Sequence, residues 1–295
     1  MPVPQGNRVD SRIAAQLFTS QAINKIADGD LTFLYKVLSD YLTPTVYPLK
    51  VAQVFELAFR KLSLDYKTEY FFKNAIANKL YIRRHAEKNV TMLSEFRVGN
   101  NKADCVIVNG NSTCYEIKTK FDSLKRLPDQ LSSYSKIFDK VYVVCDQTHI
   151  NNVLLHVPDE VGVIEFTEKG ALKEVKRAIV NTHEIDREIL ISSLRKPEYV
   201  LIAEKLTNKP LESSNMSIYA DCLNIFNQAS SEELRKLFKY ALKTHRKTDF
   251  GFVNKLPPSL TNMAISFKLT RSKRLALGNI LTQSIHKDEI CTSHS

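Results

Sequence analysis

The sequence lacks the patterns that define several common protein classes. No stretch approaches about 18 consecutive apolar residues, and the opening MPVPQGNRVD has neither a basic segment nor an apolar one. We therefore expect no membrane span and no secretion signal, and hence a cytoplasmic protein without a membrane partner. The five cysteines include no C-x-x-C pair, which disfavours a disulfide framework and a zinc site alike. No P-loop, G-x-G-x-x-G or G-x-S-x-G motif occurs, so a serine or cysteine nucleophile has little support.

The composition is that of an ordinary globular protein with an excess of positive charge. The chain has 295 residues, of which 43% are hydrophobic, so it can form one large domain or two modest ones. Its formal net charge of +10 favours a polyanionic partner such as nucleic acid. Two segments, 235–247 and 268–274, concentrate lysine and arginine. Each segment is also consistent with a solvated helix face.

The spacing of apolar residues predicts helices at both ends of the chain and strands in the middle. Asp10 and Asp30 are candidate helix caps. We predict a helical N-terminal arm over 1–63, a core over 64–183 and a helical C-terminal region over 184–295, where protein partners would bind. In the core we expect, in chain order, a helix at 66–84, strands at 91–98, 103–108 and 113–119, a helix at 122–138, strands at 140–145 and 161–166, and a helix at 170–180.

Charged residues lie at the ends of two nearly continuous apolar runs, ADCVIV and STCYEI. Such runs are typical of strands covered on both faces, so we expect Asp104, Glu116 and Lys118 at the rim of a buried sheet. The N-G-N-S segment between the runs predicts a turn and an antiparallel pair.

The register of this hairpin decides whether the carboxylates share a face. A two-residue turn would place Asp104 opposite Ile117 and send the two carboxylates to opposite faces. If the acids act together, the connection must have an odd number of residues or contain a bulge. We expect a register in which Asp104 faces Lys118 and Val106 faces Glu116.

Two carboxylates that converge at a sheet rim repel each other unless a cation lies between them. A site of oxygen ligands with open positions suits Mg²⁺ or Mn²⁺. With a phosphodiester bound, the metal would polarise the phosphoryl oxygen and acidify a water, while Lys118 would orient that water or neutralise developing charge. An isolated E-x-K on a strand is more commonly a surface ion pair. Here the following helix adds Gln130 and Tyr134, which share one helical face.

These residues resemble the PD-(D/E)XK nuclease superfamily, whose αβββαβ core has an Asp on its second strand and E-x-K on its third. Asp104, Glu116 and Lys118 match that motif, and Gln130 with Tyr134 is similar to the Q-x-x-x-Y signature of the RecB-like branch. Most of the first 200 residues also resemble a bacterial nuclease-like family of unassigned role. The proline of the motif is Ala103 here, a common change in the superfamily.

The resemblance implies a restriction-endonuclease-like α/β fold with a mixed central sheet and a definite set of site residues. Catalysis would fall to Asp104, Glu116 and Lys118. The metal ligands would be Asp104, Glu116, the backbone carbonyl of Ile117, and either Glu69 or Glu95. The groups that would contact substrate are Lys73, Lys120, Arg126, Gln130 and Tyr134.

Several of these residues also have simpler interpretations. Glu69 could form an i, i+4 ion pair with Lys73, and Glu95 could be a charge at a strand end. Lys120 and Arg126, with Asp122, could face solvent.

Gln130 and Tyr134, on the predicted helix, also have two interpretations, and two histidines are not expected to belong to the site. Gln130 and Tyr134 could form a buried hydrogen-bonded pair; otherwise Gln130 would fix the metal-bound water or a backbone group of the substrate, with Tyr134 packed behind it or stacked on a base. His149 and His156 are expected to lie in a loop or at the surface.

The sequence thus predicts a metal-dependent nuclease that hydrolyses phosphodiester bonds, with DNA as the expected substrate. One alternative is a nucleic-acid-binding module on the same fold that has no catalytic activity. Another is an adaptor in phage defence or DNA repair. Homo-oligomers are compatible with all three.

Overall fold

The structure is a computed structural model that describes residues 9–82 and 90–291, with side chains described through residue 289. The chain forms two compact units. The helical unit comprises Met1–Asn78 and Asp249–Ser295, and the sheet unit comprises Lys79–Thr248.

Most of the strands in the described residues lie in the middle of the chain. The α-helices of the described residues are α1 (Ser11–Ala15), α2 (Ser20–Ala27), α3 (Thr32–Val37), α4 (Val51–Asp65), α5 (Glu69–Ile76), α6 (Leu127–Ser135), α7 (Ile150–His156), α8 (Arg187–Ser192), α9 (Lys196–Thr207), α10 (Ile218–Gln228), α11 (Ser231–His245), α12 (Phe250–Val253), α13 (Thr261–Ser266), α14 (Arg271–Thr282) and α15 (Lys287–Cys291). The strands are β1 (Leu49–Lys50), β2 (Thr91–Val98), β3 (Asn101–Val108), β4 (Ser112–Lys118), β5 (Lys140–Asp146), β6 (Gly162–Phe166), β7 (Leu172–Lys176) and β8 (Ser284–Ile285).

The helical unit is packed around aromatic rings from its first helices. Phe59 and Phe71 stack with ring centroids 4.5 Å apart, and the Phe18 and Tyr70 centroids are 4.9 Å apart. Asp10 caps α1 as predicted, because its carboxylate accepts hydrogen bonds from two backbone N–H groups in the first turn. The unit also contains a two-stranded antiparallel ribbon of β1 and β8.

Helix α5 belongs to the helical unit through contacts with residues far away in the sequence. The Tyr70 hydroxyl donates to the Ser259 carbonyl at 2.8 Å. The Asn74 amide donates to the Pro258 carbonyl and accepts from the backbone N–H of Asn262, both at 2.9 Å. The observed division therefore differs from the expected boundaries at 63/64 and 183/184, because residues 64–78 pack on a segment that a local pattern cannot identify.

The sheet unit contains a six-stranded mixed sheet with the order β2-β3-β4-β5-β6-β7. Strands β2, β3 and β4 are antiparallel, β4, β5 and β6 are parallel, and β7 returns antiparallel to β6. The parallel pairs require crossovers, which α6 and α7 provide. The predicted mixed α/β fold with a central mixed sheet and flanking helices is confirmed.

The helices α8–α11 form part of the core of this sheet unit. Phe96 of β2 packs edge-on against Phe138 and against Phe238 of α11, with centroids 5.8 Å and 6.2 Å apart. Residues 184–248 of the predicted C-terminal region therefore belong to the sheet unit. Their apolar faces cover the same sheet face as α6.

One local prediction in the sheet unit is wrong. Residues 172–176 form a strand instead of the expected helix, because Gly170, at a φ of 72°, allows a tight turn after β6 and Phe166 then pairs with Leu172. Residues 150–156 form α7, and His156 at its end is exposed, as expected for a loop or surface position. No helix in the described part of the chain combines the length and the apolar character that crossing a membrane requires.

Candidate metal centre

The β3–β4 hairpin brings the predicted acids together. Its connection is the three residues 109–111, since Val108 pairs with Ser112. The expected odd number is therefore found, but the expected register is wrong: Val106 pairs with Cys114, not with Glu116. The last pair, Cys105 with Tyr115, places Asp104 beside Glu116 one residue further along.

The register is fixed at the other end of the hairpin by a buried polar contact. The Ser112 backbone N–H donates to Asp139 Oδ2 at 2.8 Å, and the Ser112 hydroxyl accepts from the Asp139 N–H at 3.0 Å. Both residues are buried. Ser112 therefore remains in the strand, and the chain must turn within three residues.

Glu116 is a buried carboxylate with protein partners on both oxygens. Only 2% of the residue is exposed. Its Oε1 accepts from the Lys118 ammonium at 2.8 Å, and its Oε2 accepts from the Tyr134 hydroxyl at 2.9 Å. Burial raises the pKa of Glu116 above its ordinary value, although the Lys118 charge and these hydrogen bonds act in the opposite direction.

Helix α6 completes this buried network. Lys118 also donates to Gln130 Oε1 at 2.9 Å, so Gln130 and Tyr134, one turn apart on α6, hold the two ends of the E-x-K motif. Pro128 lies in the first turn of α6, where a missing N–H is tolerated. Tyr134 is fully buried, and its ring packs behind Glu116 in the core. Burial and the Glu116 charge raise the pKa of Tyr134 well above its ordinary value.

Asp104 lies nearer the surface than Glu116. Its Oδ2 accepts from the backbone N–H of Ile117 at 2.7 Å, which joins the carboxylate directly to the E-x-K strand. The residue is half-buried. Because each ionised carboxylate offers about four lone-pair positions, Asp104 and Glu116 keep capacity for a metal ion in addition to these bonds.

Glu95 is the acid of the sheet unit that meets Asp104. The neighbouring pairs Ser94 with Cys105 and Phe96 with Ala103 place these two residues opposite each other, and their carboxylate oxygens come within 4.8 Å. Glu95 has a φ of 56°, a left-handed conformation that costs a non-glycine residue about 1–3 kcal/mol. Its side chain is exposed and forms an ion pair with Lys102 at 2.5 Å.

Four other predicted site residues have the following surroundings. Glu69 and Lys73 belong to the helical unit, where they form an i, i+4 ion pair on α5. Lys120 is exposed and lies 4.9 Å from the Phe121 ring centroid. Arg126 is exposed at the start of α6.

Asp122 and the two histidines have the following contacts and exposure. The Asp122 carboxylate accepts from the Thr119 backbone N–H and hydroxyl, both at 2.7 Å. His149 lies 3.0 Å from the Thr119 carbonyl oxygen and His156 is exposed.

Two features of the site were not predicted from the sequence. Lys102 was missed, although its spacing of two residues from Asp104 on a strand places it on the same face. The left-handed backbone of Glu95 has no sequence signal, because glutamate is rarely found in that conformation.

The comparison with known proteins places the chain in a family. The family model for the bacteriophage P4 protein cII matches residues 63–267. The chain belongs to the bacteriophage P4 protein cII family. The matched segment contains every residue predicted for the site, from Glu69 to Tyr134.

Two individual relatives differ greatly in how closely they match. Protein cII of Enterobacteria phage P4 is 28% identical over 193 residues, which cover 62% of this chain and 70% of that protein. The SPO1766 protein of unknown function from Silicibacter pomeroyi is 16% identical, with 41% of this chain and 78% of that one covered at a TM-score of 0.30. This last similarity is too low to carry an argument.

Proposed function

We propose that this member of the bacteriophage P4 protein cII family is a metal-dependent nuclease that hydrolyses phosphodiester bonds in DNA, with Mg²⁺ or Mn²⁺ as its cofactor. The observation that carries the proposal is the convergence of three acids and one lysine on neighbouring strands. Glu95, Asp104 and Glu116 lie on β2, β3 and β4, and Lys118 lies two residues from Glu116.

This arrangement would lower the stability of the fold if its role were only structural. Glu116 and Lys118 are 2% and 5% exposed, and a buried ion pair of this kind often stabilises a protein less than apolar residues of the same volume would. Glu95 adds a strained backbone conformation. Costly polar groups and strain in one place favour a functional site over a structural one.

The donor set suits a hard divalent cation. Asp104 and Glu95 offer carboxylate oxygens within 4.8 Å of each other, and the register of β3 and β4 places Glu116 beside Asp104. Oxygen ligands are those that Mg²⁺ and Mn²⁺ prefer. When bound, such a cation would supply polarisation of a phosphoryl oxygen and acidification of a water. Glu69 remains a prediction from the sequence as an alternative ligand.

The protein side chains would do the rest. Lys118, held between Glu116 and Gln130, presents a positive charge that would orient the attacking water or neutralise charge on the phosphate. Tyr134 would keep Glu116 in position from behind. Lys120 and Arg126, both exposed near the start of α6, would hold phosphates on either side of the bond that is cleaved.

A second candidate is a module that binds nucleic acid without cleaving it. One observation favours it: each oxygen of Glu116 accepts a hydrogen bond from a protein side chain, Lys118 or Tyr134. In such a protein the hydrogen-bond network around Glu116 would serve only to stabilise the fold. Binding of a partner by an adaptor would not require the carboxylates.

The test compares cleavage of supercoiled DNA with Mn²⁺ and with EDTA. We expect metal-dependent cleavage by the wild type, and a loss of at least about 100-fold in Asp104→Asn and in Lys118→Gln, because each removes a group that acts on the transition state. The matched controls Asp159→Asn and Lys169→Gln change the same charges at exposed positions and should retain full activity.

Mn²⁺ titration calorimetry and circular dichroism accompany the assay. Asp104→Asn should fold normally and bind Mn²⁺ more weakly than the wild type. Wild-type protein that binds DNA but cleaves no faster with Mn²⁺ than with EDTA would establish the second candidate. Equal activity in Asp104→Asn and Asp159→Asn would refute the proposed site.

A further inference from the structure

A groove on the sheet unit has a strongly basic lining that the proposed metal centre does not use. It has a cavity volume of about 530 Å³ and lies between α9, α11 and the tip of the β3–β4 hairpin. Its lining includes Lys205, Lys236, Lys239, Lys243 and the ring of Tyr240. None of the described residues that line it is acidic.

Folding of α11 places most of these lysines on one face. Positions 236, 239, 240 and 243 follow the three-and-four spacing of a helix stripe, whereas Leu234, Phe238 and Leu242 point into the core. The apolar stripe fixes the rotation of the helix. The basic stripe is therefore held toward the groove by the same packing that covers the sheet.

The lysines differ in whether their ammonium groups contact other side chains of the protein. Lys239 donates to the buried Asp139 at 2.8 Å and so has a structural role. Lys205 lies 5.7 Å from the Tyr240 ring centroid. Lys236 is exposed and Lys243 is half-exposed. Like charges at helical spacings of three and four destabilise a helix, and a bound polyanion would relieve that repulsion.

The form of the groove favours a nucleic-acid backbone over an acidic protein. The Tyr240 ring is 45% exposed and offers a flat surface on which a base can stack. At the hairpin tip, nothing lies within 4 Å of the position that a Cβ of Gly110 would take. The protein backbone can therefore be approached closely there.

The groove also lies at a useful distance from the proposed centre. Asp104 begins the apolar part of β3 and Asn109 follows its end, so five residues separate the acid from the groove. That is about 17 Å along a strand, which corresponds to about five base pairs of duplex rise. We infer that this basic groove binds the phosphate backbone of the DNA that the proposed metal centre cleaves; the inference rests on the proposed function for the identity of the ligand.

The experiment uses the full chain, with EDTA present so that no cleavage occurs. Binding of a short labelled DNA duplex is measured by fluorescence anisotropy over a range of salt concentrations. The variant Lys236→Gln/Lys243→Gln removes two charges from the groove and spares Lys239. The matched control Lys169→Gln/Arg177→Gln removes two charges from exposed positions elsewhere on the same unit.

The groove variant should bind more weakly, and the slope of log K against log salt should fall in magnitude by about 1.8 for two lost phosphate contacts. Between about 50 and 200 mM salt, the wild type should therefore lose about 12-fold more affinity than the variant. The control should match the wild type. With Mn²⁺, the groove variant should show a raised KM with an unchanged kcat, because uniform binding is lost.

An unchanged affinity and slope in the groove variant would overturn the inference, as would an equal loss in the control or a wild type that binds no duplex. Displacement of the duplex by polyglutamate at equal charge would assign the groove to acidic proteins and also overturn it. The proposed function has its own refuting result. A protein that binds DNA through the groove but never cleaves it would refute the proposed nuclease activity and support DNA binding by the groove.

Discussion

Replacing Tyr134 by phenylalanine tests whether the buried network holds an ionised carboxylate. The change removes one oxygen, which lies 2.9 Å from Glu116 Oε2, and leaves the ring in its place in the core. A hydrogen bond to a charged, buried acceptor contributes about 1.5–3 kcal/mol. We therefore expect the free energy of unfolding to fall by about 2 kcal/mol, a factor of roughly 30 in the unfolding equilibrium.

The assay is urea denaturation followed by circular dichroism, in EDTA at pH 7. With a slope of about 2 kcal/mol per molar urea, the midpoint should fall by about 1 M. Tyr219→Phe is the matched control, because its ring is 42% exposed, and it should change the free energy by less than about 0.5 kcal/mol. In a Glu116→Gln background the acceptor is neutral, so Tyr134→Phe should cost only about 1 kcal/mol.

The pH dependence has a defined sign. Burial raises the native pKa of Glu116 above its unfolded value, and the Tyr134 hydroxyl lowers it. The stability associated with this group is present below the unfolded pKa of about 4.3 and is lost as pH rises through the native pKa. Tyr134→Phe raises the native pKa of Glu116 further, so its stability loss should grow as pH rises above the native pKa that Glu116 has in the wild type. A loss independent of pH, or no larger than that of Tyr219→Phe, would refute an ionised Glu116 held by Tyr134.

Three further predictions concern other parts of the described structure. In urea denaturation, Glu95→Gly should keep the free energy of unfolding within about 0.5 kcal/mol of the wild type. Glu95→Val should lower it by about 2 kcal/mol, because a β-branched residue disfavours a left-handed backbone. Equal losses in the two variants would contradict this explanation. Asp139→Ala leaves buried cationic groups without their acceptor and should cost about 3–5 kcal/mol by the same assay, against less than about 0.5 for the exposed Asp159→Ala. In a Cys291→Ser protein the four described cysteines are buried, and burial raises the pKa of Cys145 to about 12; Ellman's reagent at pH 8 should detect no thiol before denaturation and all four after it, and native reactivity would show that the core opens.

The central strands could be predicted because burial on both faces leaves a strong pattern. Continuous apolar runs located β3, β4 and β5 to within two residues at each end. Their charged ends indicated where Asp104, Glu116 and Lys118 meet. The exact register could not be predicted, since it depends on Ser112 pairing with Asp139, a residue 27 positions away.

Weaker local signals failed where tertiary contacts decide. Residues 172–176 contain apolar and charged residues compatible with a helix, and only the edge of β6 makes them a strand. The two-residue strand β8 exists only because β1 is its partner. Likewise, nothing near α5 in the sequence indicates that Asn74 will bind the segment around Asn262.

The pairing of β1 with β8 has a consequence for synthesis of the chain. The helical unit is interrupted in sequence by the whole sheet unit, and its ribbon joins Leu49 to Ile285. Within the sheet unit, the Tyr81 hydroxyl donates to Thr248 Oγ1 at 2.7 Å, so the points where the chain enters and leaves that unit lie together. A ribosome releases all of residues 79–248 before it releases β8. We therefore expect the inserted sheet unit to fold first. The earlier helices of the helical unit would complete their packing only after β8 is released.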